Sequence, residues 1–490
     1  MSVPPLKSRL DGLPEWALGL VLIAAGALAG FGQAPFGLPI LTVVALALGL
    51  FLVNRAHGTR RFWHGWALGL GYFGHVMAWI VEPFLVDIAR HGWMAAPALF
   101  LMAGGLALFW GIAARLSQGV WSLALGIALA EVARSFVLSG LPWGLVGYVW
   151  IDREAYQLAR FIGPHGVTAL TFLLGATMVG RSHILRGVGL VVAVLAVSVA
   201  PLAWTPDTQV GPMVRILSPN VLQQDKWHPD TREAMYQRHL DLTQGPPVDL
   251  VVWPESALTM QLSATRSDIL AAAGDAPVLL GHQYSPDFET FFNAATVLDA
   301  KNADGDAIYL KSKLVPFGEY IPLTPIARRF GLTGLADAAG LGFSEGQGAV
   351  TVPVRGIGKV QILICYEGIF PHFVGSLTGR PRAIVLITND GWFGTRGGPA
   401  QHLAQAQARA IEQGLPVVRS ANRGISAMID ARGQVTRRVG FDETTRLDAV
   451  LPDADPATVY AKIGDVPIAL LFLLGFAAFA WCERGAFNRP

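Results

Sequence analysis

Long apolar runs separated by short polar loops fill the first 205 or so residues and constrain the fold more than any other feature. A helix that crosses a bilayer needs about 20 mostly apolar residues. Such runs predict eight membrane spans, near residues 14–30, 38–54, 62–81, 93–115, 118–138, 160–181, 186–204 and 463–482. Because backbone groups in lipid must be satisfied within the segment, these spans are expected to be helices.

The charge content supports this division of the chain. Charged residues make up 15% of the 490 residues and hydrophobic residues 52%, whereas soluble domains carry roughly 25% charged residues. The deficit ends near residue 205, and charges are ordinary from there to about residue 455. We therefore predict a transmembrane domain of about seven helices over 1–211, a soluble domain over 212–455, and a last helix with a tail over 456–490.

Basic residues in the predicted loops indicate the orientation of the spans. They are Lys7, Arg9, Arg55, Arg60, Arg61, Arg115, Arg181, Arg186, Arg484 and Arg489. Loops rich in Lys and Arg stay in the cytoplasm, so both termini are expected there and the soluble domain on the opposite side. In a second interpretation the first run, which contains Ala27-Leu28-Ala29, is a cleaved signal peptide; the topology of the other spans would not change.

Several function classes are disfavoured by composition. The net charge is only +2, and no stripe of Lys and Arg indicates nucleic-acid binding. The two cysteines, Cys365 and Cys482, do not form a metal-binding pattern. Cys365 lies in the soluble part, where a single cysteine is either a core residue or a nucleophile.

One charged pair lies inside the predicted membrane part. Glu131 and Arg134 are three residues apart, near the end of a span, where charges are costly and are usually paired or functional. They are either a structural ion pair or a device that shapes a lipid pocket together with the segment Gly140-Leu141-Pro142-Trp143-Gly144. The sequence leaves both interpretations open.

The soluble part shows short apolar runs separated by turns and helices. Strands are predicted at 214–217, 249–253, 278–281, 294–298, 307–310, 359–364, 383–388, 417–420 and 426–430, and helices at 231–243 and 400–413. The segment 302–305 has the composition of a hairpin turn. Alternating strands and helices predict a layered α/β fold.

Three of the predicted strands end at polar residues with complementary chemistry: Glu255 after Trp253-Pro254, Lys311 after Leu310, and Cys365 after Ile364. A cysteine thiol needs a base to become a nucleophile, and a carboxylate can take that proton and return it to the leaving group. A lysine supplies positive charge for the oxyanion that forms during acyl transfer. Each residue alone is weak evidence of catalysis, and the three together predict a cysteine nucleophile.

These segments resemble the nitrilase, or carbon–nitrogen hydrolase, superfamily, in which Glu, Lys and Cys occur in this order and context. Over nearly its whole length the chain resembles one family in it, the apolipoprotein N-acyltransferases. The resemblance rests on the eight spans, Glu131 with Arg134, Pro142-Trp143-Gly144, Trp253-Pro254-Glu255-Ser256, the Leu-Val-Pro-Phe-Gly-Glu motif at 314–319, Cys365-Tyr366-Glu367 and Asn389-Asp390-Gly391-Trp392-Phe393-Gly394.

The resemblance implies a membrane all-α bundle plus an αββα sandwich, and it implies residue roles. Glu255 would be the general base, Lys311 the oxyanion-stabilising cation and Cys365 the nucleophile. Lys311 is preferred to Lys313 because it stands eight positions before Glu319 and follows Tyr309. The role of Lys313, which stands where the family often has a His, stays open.

Further roles follow from the same resemblance. Glu319 would support the lysine, while Tyr366 and Glu367 would shape the site, with the Tyr366 amide as a candidate oxyanion donor. Trp227 and Trp392 resemble aromatic residues near the acyl chain, although plain packing explains them as well.

The implied activity is a two-step transfer of a fatty acyl chain in the bacterial inner membrane, with the soluble domain in the periplasm. The donor would be a phospholipid such as phosphatidylethanolamine, and the acceptor the N-terminal S-diacylglyceryl-cysteine of an apolipoprotein. The resemblance implies no cofactor, no metal and a monomer. The alternatives are a membrane-tethered amidase that uses water, a receptor or transporter with a non-catalytic ectodomain, and transfer to another amine. The acyl length, the acceptor range and the lipid path stay open.

Overall fold

The computed structural model describes residues 14–179, 186–189, 191–192, 210–222, 229–302, 305–320, 342–375, 379–395 and 397–487. The chain divides into two compact units. The first comprises Met1–Ala203, Thr395–Gln401 and Ile463–Pro490, and the second comprises Trp204–Gly394 and His402–Lys462.

Ten helices longer than eight residues lie in the described part of the chain. They are α1 (Glu15–Gly30), α2 (Pro39–Arg55), α3 (Gly58–Val76), α4 (Ala95–Leu116), α5 (Val120–Arg134), α6 (Ala159–Val179), α7 (Pro229–Thr243), α8 (Leu262–Ala273), α9 (Gly398–Gln413) and α10 (Val466–Phe487). Short helical turns join them at Ala78–Val81, Glu82–Leu85, Ile88–His91, Gly92–Met94, Val146–Trp150, Glu154–Leu158, Cys365–Ile369, Pro371–Val374, Asp390–Phe393 and Val459–Ile463.

The first unit is helical, as predicted. By length and composition, the stretches Ile88–Leu116, Glu154–Val179 and Val466–Gly485 can each cross a bilayer. A fourth candidate joins α3 to Ala78–Leu85 across a 63° bend, and α1 and α2 are apolar but shorter. The count of eight spans therefore stays a prediction, and the seventh, near 186–204, lies mostly outside the described residues.

Three of the basic loops lie at one end of the helical unit. Arg61, in the first turn of α3, donates to the carbonyl of Gly119, which precedes α5. The backbone N–H of Trp121 in turn donates to Glu483, in the last turns of α10. These contacts bring the start of α3, the start of α5 and the end of α10 together.

The charged pair predicted in the membrane part is fully buried. Glu131 and Arg134 form an ion pair at the end of α5, and Trp110 Nε1 donates to Glu131 at 2.8 Å. Arg134 also donates to the carbonyl of Leu141 and, at 2.9 Å, to that of Trp143. The pair therefore anchors the segment after α5. Whether it also shapes a lipid pocket stays a prediction.

In the described residues of the second unit, the strands form two six-stranded sheets. The strands are β1 (Met213–Ser218), β2 (Leu250–Val252), β3 (Val278–Tyr284), β4 (Phe292–Leu298), β5 (Ala307–Leu310), β6 (Thr351–Val354), β7 (Gly358–Ile364), β8 (Ala383–Thr388), β9 (Val417–Ala421), β10 (Ser426–Ile429), β11 (Val435–Val439) and β12 (Thr445–Val450). The first sheet has the order β12-β1-β2-β3-β4-β5 and the second β11-β10-β9-β8-β7-β6. Strands β1 to β3 are parallel, as are β7 to β9.

Successive side chains of a strand point to opposite faces of its sheet, and this alternation explains the layers of the second unit. Val252 of β2 and Ile362 of β7 belong to one buried core that the two sheets share. Val251 and Trp253 point to the other face of the first sheet, where residues of α7 and α8 complete a second core. On the second sheet's side, α9 is buried over nearly its whole length. The predicted layered α/β sandwich is confirmed.

All nine predicted strands and both predicted helices are present, with ends shifted by a few residues. The antiparallel pairing of β4 with β5 is the predicted hairpin; positions 303–304 of its turn lie outside the described residues. The prediction missed β6, β11, β12 and α8. Strands β6, β11 and β12 are at sheet edges, and β11 and β12 carry exposed polar residues instead of an apolar run.

The buried pair in α5 generates a stability prediction. Glu131→Gln or Arg134→Met alone leaves one charge buried without its partner, which costs about 3–5 kcal/mol of unfolding free energy. The double variant should lose less than the sum, because no uncompensated charge remains. Thermal unfolding in detergent measures this. Strictly additive losses in the double variant would contradict the assignment of Glu131 and Arg134 as a coupled buried ion pair. Arg115→Ala, at an exposed position, is the control.

Candidate active site

Three strand ends bring the predicted catalytic residues to one place. Glu255 follows β2, Lys311 follows β5 and Cys365 follows β7. The turn at Glu255 lies directly against β3, where a Cβ atom on Gly281 would stand only 2.6 Å from the carbonyl oxygen of Pro254. Only glycine fits there, so Gly281 permits the approach that sets the position of Glu255.

Lys311 is the buried cation of the site. Its side chain has no exposed surface, and Nζ lies 2.9 Å from Glu319 Oε1 and 3.4 Å from Glu255 Oε1. Burial alone would lower the pKa of Lys311, but the carboxylates of Glu319 and Glu255 outweigh it and hold that pKa above its usual value. The ammonium group therefore stays charged inside the protein.

Asn293 of β4 joins the two carboxylates. Its Nδ2 donates to Glu255 Oε1 at 2.8 Å and to Glu319 Oε1 at 2.9 Å. Its backbone carbonyl accepts the backbone N–H of Lys311 at 2.9 Å, just beyond the paired ends of β4 and β5. Asn293 thus holds Glu255 and Glu319 through its side chain and Lys311 through its backbone.

Cys365 stands at the first position of a short helical turn with a backbone φ of 50°. A non-glycine residue in that region costs about 1–3 kcal/mol and persists only where its surroundings enforce it. The side chain is 6% exposed. Burial and the nearby Glu255 carboxylate raise the pKa of the Cys365 thiol, against the opposing effects of Lys311 and of a hydrogen bond with Thr388. The resting thiol is therefore protonated, and attack requires a base.

Glu367 connects the Lys311 loop to the end of β7. Its Oε1 accepts from the Tyr309 hydroxyl at 2.7 Å and from the backbone N–H groups of Ser312 and Lys313, at 2.7 and 3.2 Å. Its Oε2 accepts the backbone N–H of Ile364 at 2.8 Å. The carboxylate thus holds the segment after Lys311 beside the residue that precedes Cys365.

The structure brings together most of the residues singled out from the sequence. Glu319 forms an ion pair with Lys311 and also accepts the backbone N–H of Val315 at 2.8 Å. Tyr366 is buried next to Cys365, with its ring 5.0 Å from that of Phe370. Lys313 points elsewhere than Lys311, since its Nζ lies 5.8 Å from the Phe370 ring.

Of the two tryptophans predicted to lie near the acyl chain, the structure describes only one. Trp392 is partly exposed on the turn Asp390–Phe393. Trp227 lies outside the described residues. The contact of both with an acyl chain stays a prediction.

Sequence reasoning missed Asn293 and a buried polar group formed by Thr388, Asp390, His402 and Arg419. An Asn inside a strand carries no motif. Asp390 was recognised only as a member of the Asn389–Gly394 motif. Its charge was the signal that could have indicated the polar group, because a buried Asp needs a partner. In the described residues, no group of three or more His, Cys, Asp or Glu side chains is placed to hold a metal ion.

Comparison with known proteins gives the family. The family model described as "Apolipoprotein N-acyltransferase N-terminal domain" matches residues 25–177, and the one described as "Carbon-nitrogen hydrolase" matches residues 221–461. The apolipoprotein N-acyltransferase of Caulobacter vibrioides is 35% identical, with 94% of this chain and 93% of that protein covered. This chain belongs to the apolipoprotein N-acyltransferase family. The members from Bradyrhizobium diazoefficiens and Brucella suis are 34% and 32% identical, and each comparison covers more than 90% of both chains.

Family membership accounts for the combination of a helical first unit with a carbon–nitrogen hydrolase unit. The first family model ends at residue 177 and the second begins at residue 221, so each matches one of the two parts of the chain. In an apolipoprotein N-acyltransferase, the buried Glu255, Lys311 and Cys365 are therefore candidates for the acyl-transfer site itself.

Asn293→Asp tests the charge arrangement around Lys311. The substitution keeps the shape but replaces a donor by a third carboxylate, which competes for the single ammonium group. The acyl-transfer rate of the purified protein should fall by about 10²-fold or more, the range for losing one preorganised polar group at an active site. Asn302→Asp makes the same chemical change in the hairpin turn and serves as control. Equal effects of the two substitutions would contradict the arrangement.

Glu367→Gln tests the buried carboxylate. Burial raises the pKa of Glu367 from 4.5 to about 7, against the hydrogen bonds from Ile364, Ser312 and Tyr309 and the charge of Lys311, which all favour the carboxylate. The folded protein binds this proton more tightly than the unfolded chain, so stability is fully present below the unfolded pKa and falls as pH rises through about 7. Unfolding at a series of pH values should show this decline in the wild type.

In Glu367→Gln the decline between the two pKa values should disappear. The variant should also transfer acyl groups more slowly, because an amide has only one acceptor oxygen for the four donors. An unchanged pH slope in the variant would show that another group causes it.

Proposed function

We propose that this protein transfers a fatty acyl chain from a phospholipid, through a thioester on Cys365, to the α-amine of the N-terminal S-diacylglyceryl-cysteine of apolipoproteins. The observation that carries the proposal is the buried Lys311 ammonium between Glu255 and Glu319, beside a protonated Cys365 thiol. That arrangement supplies a nucleophile, a base and a cation in a site with little access to water, in a chain of this family.

In the first half-reaction, Cys365 Sγ attacks the ester carbonyl carbon of the phospholipid. Glu255 takes the thiol proton, since the raised pKa of Cys365 keeps the thiol protonated at neutral pH. Lys311 and the backbone N–H of Tyr366 stabilise the oxyanion. The C–O bond then breaks, and the glycerol oxygen leaves with the proton from Glu255 as a lysophospholipid.

In the second half-reaction, the acceptor amine attacks the thioester carbonyl. Glu255 takes a proton from the amine, the C–S bond breaks, and the sulfur recovers a proton. An amide replaces an ester without net oxidation or reduction, so the two steps balance in atoms and electrons. Water must be excluded between them, because it would otherwise hydrolyse the thioester.

The remaining roles complete the proposal. Glu319 holds Lys311, Glu367 and Tyr366 set the turn that carries Cys365, and Trp227 with Trp392 contact the acyl chain. The donor is phosphatidylethanolamine, and the enzyme acts as a monomer.

We place the protein in the bacterial inner membrane, with both termini in the cytoplasm and the catalytic domain in the periplasm. The contacts that join the start of α3, the start of α5 and the end of α10 support this orientation, because the basic loops would then share one side. The proposed domains are 1–211, 212–455 and 456–490.

The distribution of the labelled acyl chain between acyl peptide and free fatty acid tests the proposed function. The purified full-length protein is incubated in detergent with labelled phosphatidylethanolamine and a diacylglyceryl-cysteine peptide. We expect labelled N-acyl peptide and an equal amount of lysophospholipid, with little free fatty acid. Free fatty acid as the main product, with or without peptide, would favour a membrane-tethered hydrolase.

Two neighbouring lysines provide a matched pair of variants in the same assay. Lys311→Met should reduce acyl transfer by about 10²–10³-fold, as expected for the loss of one oxyanion-stabilising group. Lys313→Met should keep most of the activity, since the ammonium group of Lys313 lies over Phe370 and not between the glutamates. A larger loss of activity in Lys313→Met than in Lys311→Met would assign the oxyanion-stabilising role to Lys313.

A further inference from the structure

A buried ion pair on α9 contacts the turn that carries Cys365. Arg409 and Glu412 are three residues apart on that helix, and their side chains are 1% and 0% exposed. Arg409 Nη2 donates to Glu412 Oε1 at 2.7 Å. Neither residue has a part in the proton transfers above. Because taking two charges out of water is costly, the pair requires a reason beyond its own attraction.

The other terminal nitrogen of Arg409 reaches the end of the Cys365 turn. Nη1 donates to the backbone carbonyl of Ile369 at 2.8 Å and makes a longer contact, at 3.5 Å, with that of Gly368. These are the last two residues of the helical turn Cys365–Ile369. Carbonyl groups at the end of a helical segment lack a partner within it and take one from outside. Arg409 supplies such a donor from a neighbouring helix.

The shape of the guanidinium group lets Arg409 make both contacts at once. Its N–H donors point in fixed directions within one plane. The contact with Glu412 therefore sets the direction of the nitrogen that faces Ile369. The carboxylate also balances the charge that this contact brings into the interior. Glu412 thus orients Arg409, and Arg409 holds the turn.

The Cys365 turn is held at both ends. At its start, Glu367 accepts the backbone N–H of Ile364 at 2.8 Å. At its end, Arg409 holds the carbonyl of Ile369. Between these two contacts, Cys365 has a left-handed backbone with φ of 50°, a conformation that persists only where its surroundings enforce it.

We propose that Arg409, oriented by Glu412, is a positioning residue that fixes the turn of Cys365 through the carbonyl of Ile369 and so keeps the thiol in place for attack on the acyl donor. The inference deepens the proposed function and rests on Cys365 being the nucleophile. Without the contact at Ile369, the turn relaxes toward an ordinary conformation and the thiol leaves its place. No bond to Arg409 or Glu412 forms or breaks in the reaction.

Two variants separate positioning from stability, because they should affect the two in opposite ways. In Glu412→Gln the guanidinium group keeps an oxygen acceptor, but its charge is no longer balanced. In Arg409→Met/Glu412→Leu no buried charge remains, but the carbonyl of Ile369 has lost its donor. The first variant should therefore unfold at a lower temperature than the second and yet transfer acyl groups faster. Arg409→Lys keeps the charge but not the planar fork, and it replaces the double variant if that does not fold.

Arg215 of β1 provides a matched control. Its side chain is 2% exposed, and it donates to Asp448 Oδ2 at 2.7 Å. It also donates to the backbone carbonyls of Thr243 and Pro246, at 2.7 and 2.9 Å. The chemistry resembles that of the α9 pair, but these carbonyls lie outside the turn that carries the nucleophile. Arg215→Met should lower the unfolding temperature and keep the acylation rate of the folded protein near that of the wild type.

The test measures acyl-enzyme formation from labelled phosphatidylethanolamine at a series of lipid concentrations, alongside thermal unfolding of each variant in detergent. At a temperature where all variants are folded, Arg409→Met/Glu412→Leu should lose about tenfold or more in the maximal acylation rate, because misplacing a reacting group mainly slows the chemical step. The lipid concentration that gives half of that rate should be nearly unchanged. Glu412→Gln should keep a larger part of the wild-type rate.

Three outcomes would overturn the inference. The first is a wild-type acylation rate in the double variant. The second is a set of rates that follows the unfolding temperatures, Arg215→Met included, since the pair would then act only through stability. The third is a higher half-saturating lipid concentration with an unchanged maximal rate, which would assign the pair to lipid binding. If the wild type itself forms no acyl-enzyme, the proposed function fails; if it does and Cys365→Ala does not, only the role of Arg409 is at stake.

Discussion

The site depends on one ammonium group buried with two carboxylates. Lys311 has no exposed surface, and a lone charge there would be strongly destabilising. Glu319 and Glu255 compensate it, and Asn293 keeps the two carboxylates at fixed positions around it. The result is a site whose charges are already arranged, so that under the proposed mechanism a developing oxyanion would meet a cation that needs little reorganisation.

Glu367 makes that charge arrangement useful, because it links the two sheets where their functional strands end. Lys311 follows β5 in the first sheet and Cys365 follows β7 in the second. The four donors to Glu367 come from both segments. A single buried carboxylate thereby holds the segments of Lys311 and Cys365 next to each other, and the burial that surrounds it also raises the pKa of the Cys365 thiol.

Much of this could be predicted from the sequence, since strand ends with polar residues stand out in an apolar chain. Glu255, Lys311 and Cys365 were singled out in that way. Strands β2 and β7, each of which has a parallel neighbour in its own sheet, follow from their apolar runs. The edge strands β11 and β12 could not be found, because their residues are partly exposed and lack a clear apolar pattern. Asn293 was also missed, since its importance comes from the pairing of β4 with β5, which brings it to Lys311. The number of membrane spans depends on segments that are short, bent or outside the described residues, and composition alone does not fix it.

The central claim is a covalent acyl-enzyme on Cys365, and intact-mass analysis with peptide mapping tests it most directly. The purified protein is incubated with phosphatidylethanolamine that carries a labelled acyl chain, with Cys365→Ala as control. The account predicts a hydroxylamine-sensitive acyl adduct on Cys365 alone, which a diacylglyceryl-cysteine peptide discharges. A folded wild-type protein that forms no adduct in the presence of lipid, or that carries it on another residue, would contradict the account.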